Sequence, residues 1–210
     1  MSSYWVKTPE WFKCLFPNGM KWDVPVNGLD TVYLTFDDGP HPVVTPWVIE
    51  QLAAHNAKAT FFCVGNNVAR YPAVYGQLLA GGHRVGNHTY NHLNGWRTGS
   101  GHYLKNINQA ARHIDSRLFR PPYGRIRMSQ FRKLMKQHDD WAVYMWDILS
   151  GDFDTSVTPA QCAGNVIEHI RPGSVVVFHD SEKAWERMHI ALPQVLAYCA
   201  ARNWRMEVLP

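Results

Sequence analysis

Thr35-Phe36-Asp37-Asp38-Gly39-Pro40 sets two adjacent carboxylates at the end of an apolar run, Val32-Tyr33-Leu34-Thr35-Phe36. Side chains alternate faces along a strand, so neighbouring charges are rare inside a sheet. At a strand's end both carboxylates can reach one cleft. One could hold a cation there while the other moves a proton; the plainer alternative is a turn before Gly39-Pro40. His88-Thr89-Tyr90-Asn91-His92 sets two imidazoles four residues apart. On a helix or tight turn both face the same way, close enough for one metal ion to bridge. Asp38 could add an oxygen, giving two nitrogens and one oxygen with positions left open. That count fits a catalytic zinc site, whereas structural sites are closed by four protein ligands. Zinc leads on ligand softness, and imidazole with carboxylate also suits cobalt, nickel or manganese.

Water activated on such a metal would give its proton to Asp37 while attacking a carbonyl carbon. The resulting oxyanion could be met by a backbone N–H, that of Tyr123. His179 could protonate the leaving amine; its alternative is a strand end capped by a bond to backbone. Arg120-Pro121-Pro122-Tyr123-Gly124 is stiff because prolines fix φ. It could hold Arg120 against Asp37 and keep that base ionised, or leave Arg120 in a rim salt bridge.

These residues need elements to position them. Apolar segments at 31–36, 59–64, 83–86, 117–119, 141–146, 174–179 and 204–209 read as seven strands. Helical signatures lie between them. Thr45-Pro46 reads as an N-cap with proline at the first helical position. Val68, Val74, Leu78 and Leu79 form a stripe closed by Gly81-Gly82. Thr158-Pro159-Ala160-Gln161 fits a capping box. Ile190, Val195, Leu196 and Cys199 mark the apolar face of a last helix. Strand and helix alternating imply a mostly parallel sheet covered by helices. The expectation is an irregular, incomplete (β/α) barrel of about seven parallel strands, as one domain over 31–210, with residues 1–30 as an arm packing on it. Asp37 and Asp38, His88 and His92, Arg120, Asp147 and Asp152, then His179 and Asp180 all fall at carboxyl ends of strands. Active sites of α/β barrels assemble at that edge.

The 210 residues are 46% hydrophobic and 18% charged, enough apolar material for a substantial core. The net charge is +4, with the basic residues scattered. Arg125, Arg127, Arg132, Lys133 and Lys136 read as a solvated helix face, so no nucleic-acid partner is expected. Cys14, Cys63, Cys162 and Cys199 stand far apart, which argues against a zinc ribbon or dithiol site. No run approaches the roughly 18 apolar residues of a membrane span. The first residues lack an apolar signal segment, so the expected location is cytoplasmic, or extracytoplasmic if a leader has been removed. Oligomeric state is left open.

From about Thr31 onward the chain resembles the polysaccharide deacetylases, carbohydrate esterases with the NodB-type homology domain. Thr35-Phe36-Asp37-Asp38-Gly39, His88-Thr89-Tyr90-Asn91-His92, Arg120-Pro121-Pro122-Tyr123-Gly124 and Val177-Phe178-His179 carry the resemblance in the family's order. It implies Asp37 as base, Asp38, His88 and His92 as metal ligands, and His179 as acid. Arg120 would orient the base, while Pro122 and Tyr123 line the groove. Asp152 falls on the family's supporting acid and Phe153 on its tryptophan. An earlier family aspartate is lost at Leu149, and Val177 stands where leucine is usual. The implied reaction is metal-dependent removal of an acetyl group from an acetylated carbohydrate, N-acetylglucosamine-containing chains first. The alternatives are a carbon–nitrogen hydrolase acting on a small non-sugar amide, and a sugar-binding domain without turnover.

Overall fold

The structure is a computed structural model describing residues 4–26 and 28–210. Its strands are β1 (Met20–Lys21), β2 (Thr31–Asp37), β3 (Thr60–Cys63), β4 (Arg84–Asn87), β5 (Leu118–Phe119), β6 (Ala142–Tyr144), β7 (Ile148–Leu149), β8 (Val175–His179) and β9 (Arg205–Met206). They join one sheet in the order β1-β6-β5-β4-β3-β2-β8-β7, with β9 on β2. Every strand pair in it is parallel. The helices are α1 (Glu10–Lys13), α2 (Val44–Ala54), α3 (Gly65–Arg70), α4 (Pro72–Ala80), α5 (Ser100–Ala110), α6 (Met128–Gln137), α7 (Pro159–Ile167) and α8 (Trp185–Ala201). The sheet is the curled, parallel, incomplete barrel that the strand–helix alternation implies, with eight strands along its path rather than seven.

Alternation splits the apolar residues of the central strands between the two faces of the sheet. Leu34 and Phe36 of β2, Phe61 of β3 and Phe178 of β8 face outward and pack with Val48, Leu52, Val166 and Leu192 of the helices. Burying each such side chain fully is worth about 1.5–3 kcal/mol. Phe62, Leu118, Tyr144 and Val175 gather in a second cluster on the opposite face of the strands. Thr35, Asp37 and His179 share that inner face by the same period of two.

Several elements differ from those expected. The 1–30 segment supplies β1, which pairs with β6. It also runs antiparallel along β7: Lys7 bridges Ile148, and the Leu149 N–H donates to the Val6 carbonyl at 2.8 Å. The expected strand 141–146 stops at Tyr144, and β7 is an additional strand. The stripe from Val68 to Leu79 is two helices, broken before Pro72, because a residue preceding proline avoids the helical region. Leu79 and Ile190 are exposed. Thr45 lies inside α2 rather than capping it; its hydroxyl accepts from the His41 N–H and donates to Asp180. The Thr158–Gln161 capping box forms as read.

Candidate active site

Asp37 ends β2 and Asp38 turns out of it with φ +82°. Short polar residues tolerate that left-handed region better than most. Three bonds pin the turn. The Asn67 amide donates to the Asp38 carbonyl at 2.8 Å, and the Val64 N–H to the Gly39 carbonyl at 2.8 Å. The Gly39 N–H donates to Asp180 Oδ1 at 3.0 Å.

The segment after β4 is a turn, with Thr89 at φ +63° and His92 at φ +53°. Asn87 Oδ1 accepts the Thr89 N–H at 2.8 Å. Asn106 Oδ1, from α5, accepts the N–H groups of Tyr90 and Asn91 at 2.9 and 3.0 Å. Left-handed non-glycine residues held in this way cluster at functional sites.

Asp38, His88 and His92 each offer a donor atom, all within 4.8 Å of one another. Asp38 Oδ1 lies 3.1 Å from His92 Nε2 and 3.8 Å from His88 Nε2. Zinc bonds of about 2.0–2.1 Å in a tetrahedron put neighbouring donors about 3.4 Å apart, so the spacing fits. The donor chemistry fits as well. His88 Nδ1 sits 2.8 Å from the Arg120 carbonyl and must donate to it, so Nε2 carries the lone pair. Burial pushes the His88 pKa down to about 4, against the pull of Asp37 and Asp38, so its ring is neutral at pH 7. That lone pair faces carboxylate oxygens, and Asp38 Oδ1 is buried without a hydrogen-bond donor in bonding geometry. Two imidazole nitrogens and a carboxylate oxygen at this spacing are a donor set that a divalent cation would fit.

Arg120, fully buried, spans the inside of the barrel. Its guanidinium donates to Asp37 Oδ1 at 2.8 Å, Thr35 Oγ1 at 2.7 Å and the Met145 carbonyl at 2.8 Å, and lies 4.1 Å above the Phe62 ring. Asp37 Oδ2 is left facing the cradle, 4.0 Å from His88 Nε2. On the other side, Asp152 accepts from the His179 N–H at 2.7 Å and sits 2.7 Å from His179 Nδ1. Burial opposes charge on His179, but the charge and hydrogen bond of Asp152, with Asp38 and Asp37 beyond, push its pKa up to about 10. Tyr123 is 60% exposed at φ +60°, its ring 4.6 Å from that of His92, while Pro122 is buried beneath.

Asp147 does not join them. It is a buried charge held by Lys7, Lys13 and the Ser174 hydroxyl. Asp180 and Asn106 support the turns that carry Asp38 and His92 without having been assigned roles from sequence. Asp180 stood out only by its position at a strand end, and Asn106 by no sequence signal.

A parallel α/β barrel with this constellation at the carboxyl ends of its strands defines a hydrolase of the carbohydrate-esterase kind. Residues 26–139 match the family model described as polysaccharide deacetylase. A peptidoglycan-N-acetylglucosamine deacetylase of Bacillus cereus is 30% identical over 199 residues, 92% of each chain. Another of the same description from that organism is 30% identical over 186 residues, 85% of this chain and 66% of that one. A chitooligosaccharide deacetylase of Azorhizobium caulinodans is 33% identical over 201 residues, 86% of this chain and 93% of that one. A crystal structure of a peptidoglycan N-acetylglucosamine deacetylase superposes with a TM-score of 0.85 at 28% identity, covering 97% of this chain and 95% of that one. The chain belongs to the polysaccharide deacetylase family. It is an enzyme of that class, and acetylated carbohydrate is its substrate class. Among the described residues no helix is long and apolar enough to cross a membrane.

Proposed function

We propose that the protein hydrolyses the N-acetyl group of N-acetylglucosamine units in an oligo- or polysaccharide, with Asp37 as base and His179 as acid. The observation that carries this reading is the flanking of one three-donor cradle by two side-chain pairs, Arg120–Asp37 and Asp152–His179. A carboxylate oxygen facing the cradle and an imidazole whose pKa a neighbouring carboxylate raises are suited to accept and to give a proton. The names of the peptidoglycan and chitooligosaccharide relatives support the sugar.

Asp38, His88 and His92 would hold one divalent cation, zinc first. Bound there, it would acidify a water and polarise the acetyl carbonyl. Asp37 Oδ2, the carboxylate oxygen not taken by Arg120, accepts the proton of the attacking water. Arg120 aims that carboxylate through its bond to Oδ1. The Tyr123 N–H donates to the acetyl oxygen as negative charge builds on it. His179, with Nδ1 committed to Asp152, gives its Nε2 proton to the amine nitrogen as the C–N bond breaks. Acetate and the free amino sugar leave. For a soluble oligosaccharide the place of action is the cytoplasm; for wall peptidoglycan it is outside the membrane.

The test is acetate release by the zinc-loaded protein from chito-oligosaccharides and from peptidoglycan fragments. Release is the expected result, and the preferred glycan decides the compartment. Tight sugar binding with no acetate from any acetylated glycan would leave a binding domain instead.

A further inference from the structure

We infer that Tyr4 is a positioning residue for the acid side of the active site, acting through Phe153 on His179. This rests on the reading of His179 as the general acid. The Tyr4 ring packs 5.0 Å from Phe153, tilted at 52°, and the Phe153 ring meets His179 edge-on at 5.3 Å. The Tyr4 hydroxyl donates to Asp154 Oδ2 at 3.1 Å, so the ring is tethered at its far end to the loop it covers. The backbone behind it is fastened to the strand feeding that loop: Leu149 N–H to Val6 carbonyl at 2.8 Å, and Thr8 N–H to Asp147 carbonyl at 2.8 Å.

The loop between these anchors carries Asp152 and Phe153. Gly151 makes room for the contact. It sits at φ +81°, and a Cβ there would come 3.0 Å from the Tyr4 hydroxyl. His179 is held at Nδ1 by Asp152 and on its ring edge by Phe153. One contact fixes the direction of the imidazole and the other its tilt. Phe153 can hold the tilt only if something stands behind it, and Tyr4 does. An N-terminal residue 175 positions before the acid therefore sets where the Nε2 proton points.

The experiment compares the zinc-loaded protein with its Tyr4→Ala, Tyr4→Leu and Tyr4→Phe variants on two substrates. Chito-oligosaccharide has an amine leaving group that needs a proton; 4-nitrophenyl acetate releases a phenolate that does not. Tyr4→Ala should lower kcat on the oligosaccharide about tenfold, the scale of a sub-ångström misplacement, with KM and 4-nitrophenyl acetate hydrolysis close to wild type. Tyr4→Phe keeps the ring and should restore kcat. If Tyr4→Ala does not fold, Tyr4→Leu keeps apolar bulk without an aromatic edge and should show the same split. Equal losses on both substrates, or no loss on either, would overturn the role. If the wild-type protein cleaves neither substrate, the deacetylase reading fails first. The His179 imidazole resonances then decide this one: displaced in Tyr4→Ala and restored in Tyr4→Phe if it holds, unchanged in both if it does not.

Discussion

Asp37 and His179 are register partners on two adjacent parallel strands, β2 and β8. Their side chains leave the same face of the sheet at the same height, one at each side of the Asp38–His88–His92 cradle. The base and acid proposed here come from neighbouring strands and share one rigid frame, so their separation does not depend on loop motion. Asp37→Asn should therefore remove proton acceptance without disturbing the cradle. Turnover should fall by about 10²–10⁴, the usual contribution of a positioned base, while the metal content of the purified protein stays at wild-type stoichiometry. Loss of metal instead would mean that Asp37, not Asp38, is the ligand.

Arg120 has the opposite profile, in which structure and catalysis fall together. Its charge is fully buried against Asp37, and its other donors meet Thr35 and the backbone carbonyls of Tyr144 and Met145. Breaking a buried pair by removing one partner costs about 3–5 kcal/mol. In Arg120→Met the Asp37 carboxylate stays buried without its cation. Thermal melting should drop by about 6–20 °C, at about 2–4 °C per kcal/mol for a chain of this size, and activity should be lost as well. A melting point unchanged within 2 °C, on that same scale, would contradict the pairing.

The Asp38–His88–His92 cluster and the neighbouring Asp37 are legible in the sequence because residue type and spacing mark them directly. Asp152 is legible only through the family resemblance, since nothing local distinguishes it from Asp147. One of these aspartates meets His179 and the other meets two lysines, and the fold alone decides which. Strands β1 and β7 have two residues each, too few for alternation to be visible. The two turns that present the ligands depend on Asp180 and Asn106, whose partners lie 141 and about 15 residues away. Such contacts follow from register, and no window of sequence contains them.

Stability should depend on pH through His179. Its folded pKa of about 10 stands above the ordinary 6.5, so folding binds a proton between those values. The stabilisation is complete below about pH 6.5 and is lost as pH rises through 10. Metal-free protein should melt progressively lower from pH 7 to pH 10. Asp152→Asn, which removes the charge facing Nδ1, should flatten that slope. Adding zinc should flatten it too, by neutralising the pull of Asp38. A parallel slope in Asp152→Asn would assign the effect to other groups.

His92→Ala should strip the metal while leaving the fold intact. His92 is only partly buried, and the turn around it is held by Asn87, Asn106 and Thr89 rather than by its own ring. Zinc content after dialysis should fall to background, with melting of the metal-free protein close to that of metal-free wild type. Retained zinc at full stoichiometry would exclude His92 from the ligand set.

Gly39 shows how little room the Asp37–Asp38 turn leaves. A Cβ on Gly39 would lie 2.0 Å from Asp180 Oδ2, inside the carboxyl group that receives the Gly39 N–H. Gly39→Ala must therefore push Asp180 away, breaking that bond and the one to Thr45, and must swing Asp38 off the histidines. Loss of zinc binding and a destabilisation of about 1–3 kcal/mol or more, the scale of an overpacked site, are expected together. Asp180→Asn is the control. Burial and the nearby Asp38 charge push the Asp180 pKa up to about 8, while Thr45 and Gly39 oppose them, so the carboxyl is mostly neutral at pH 6. An asparagine copies the shape of the neutral acid and keeps an acceptor for the Gly39 N–H. At pH 6 the Asn variant should bind zinc and melt near wild type while Gly39→Ala does neither. Equal damage in the two would mean that the charge of Asp180, rather than the space beside Gly39, holds the turn.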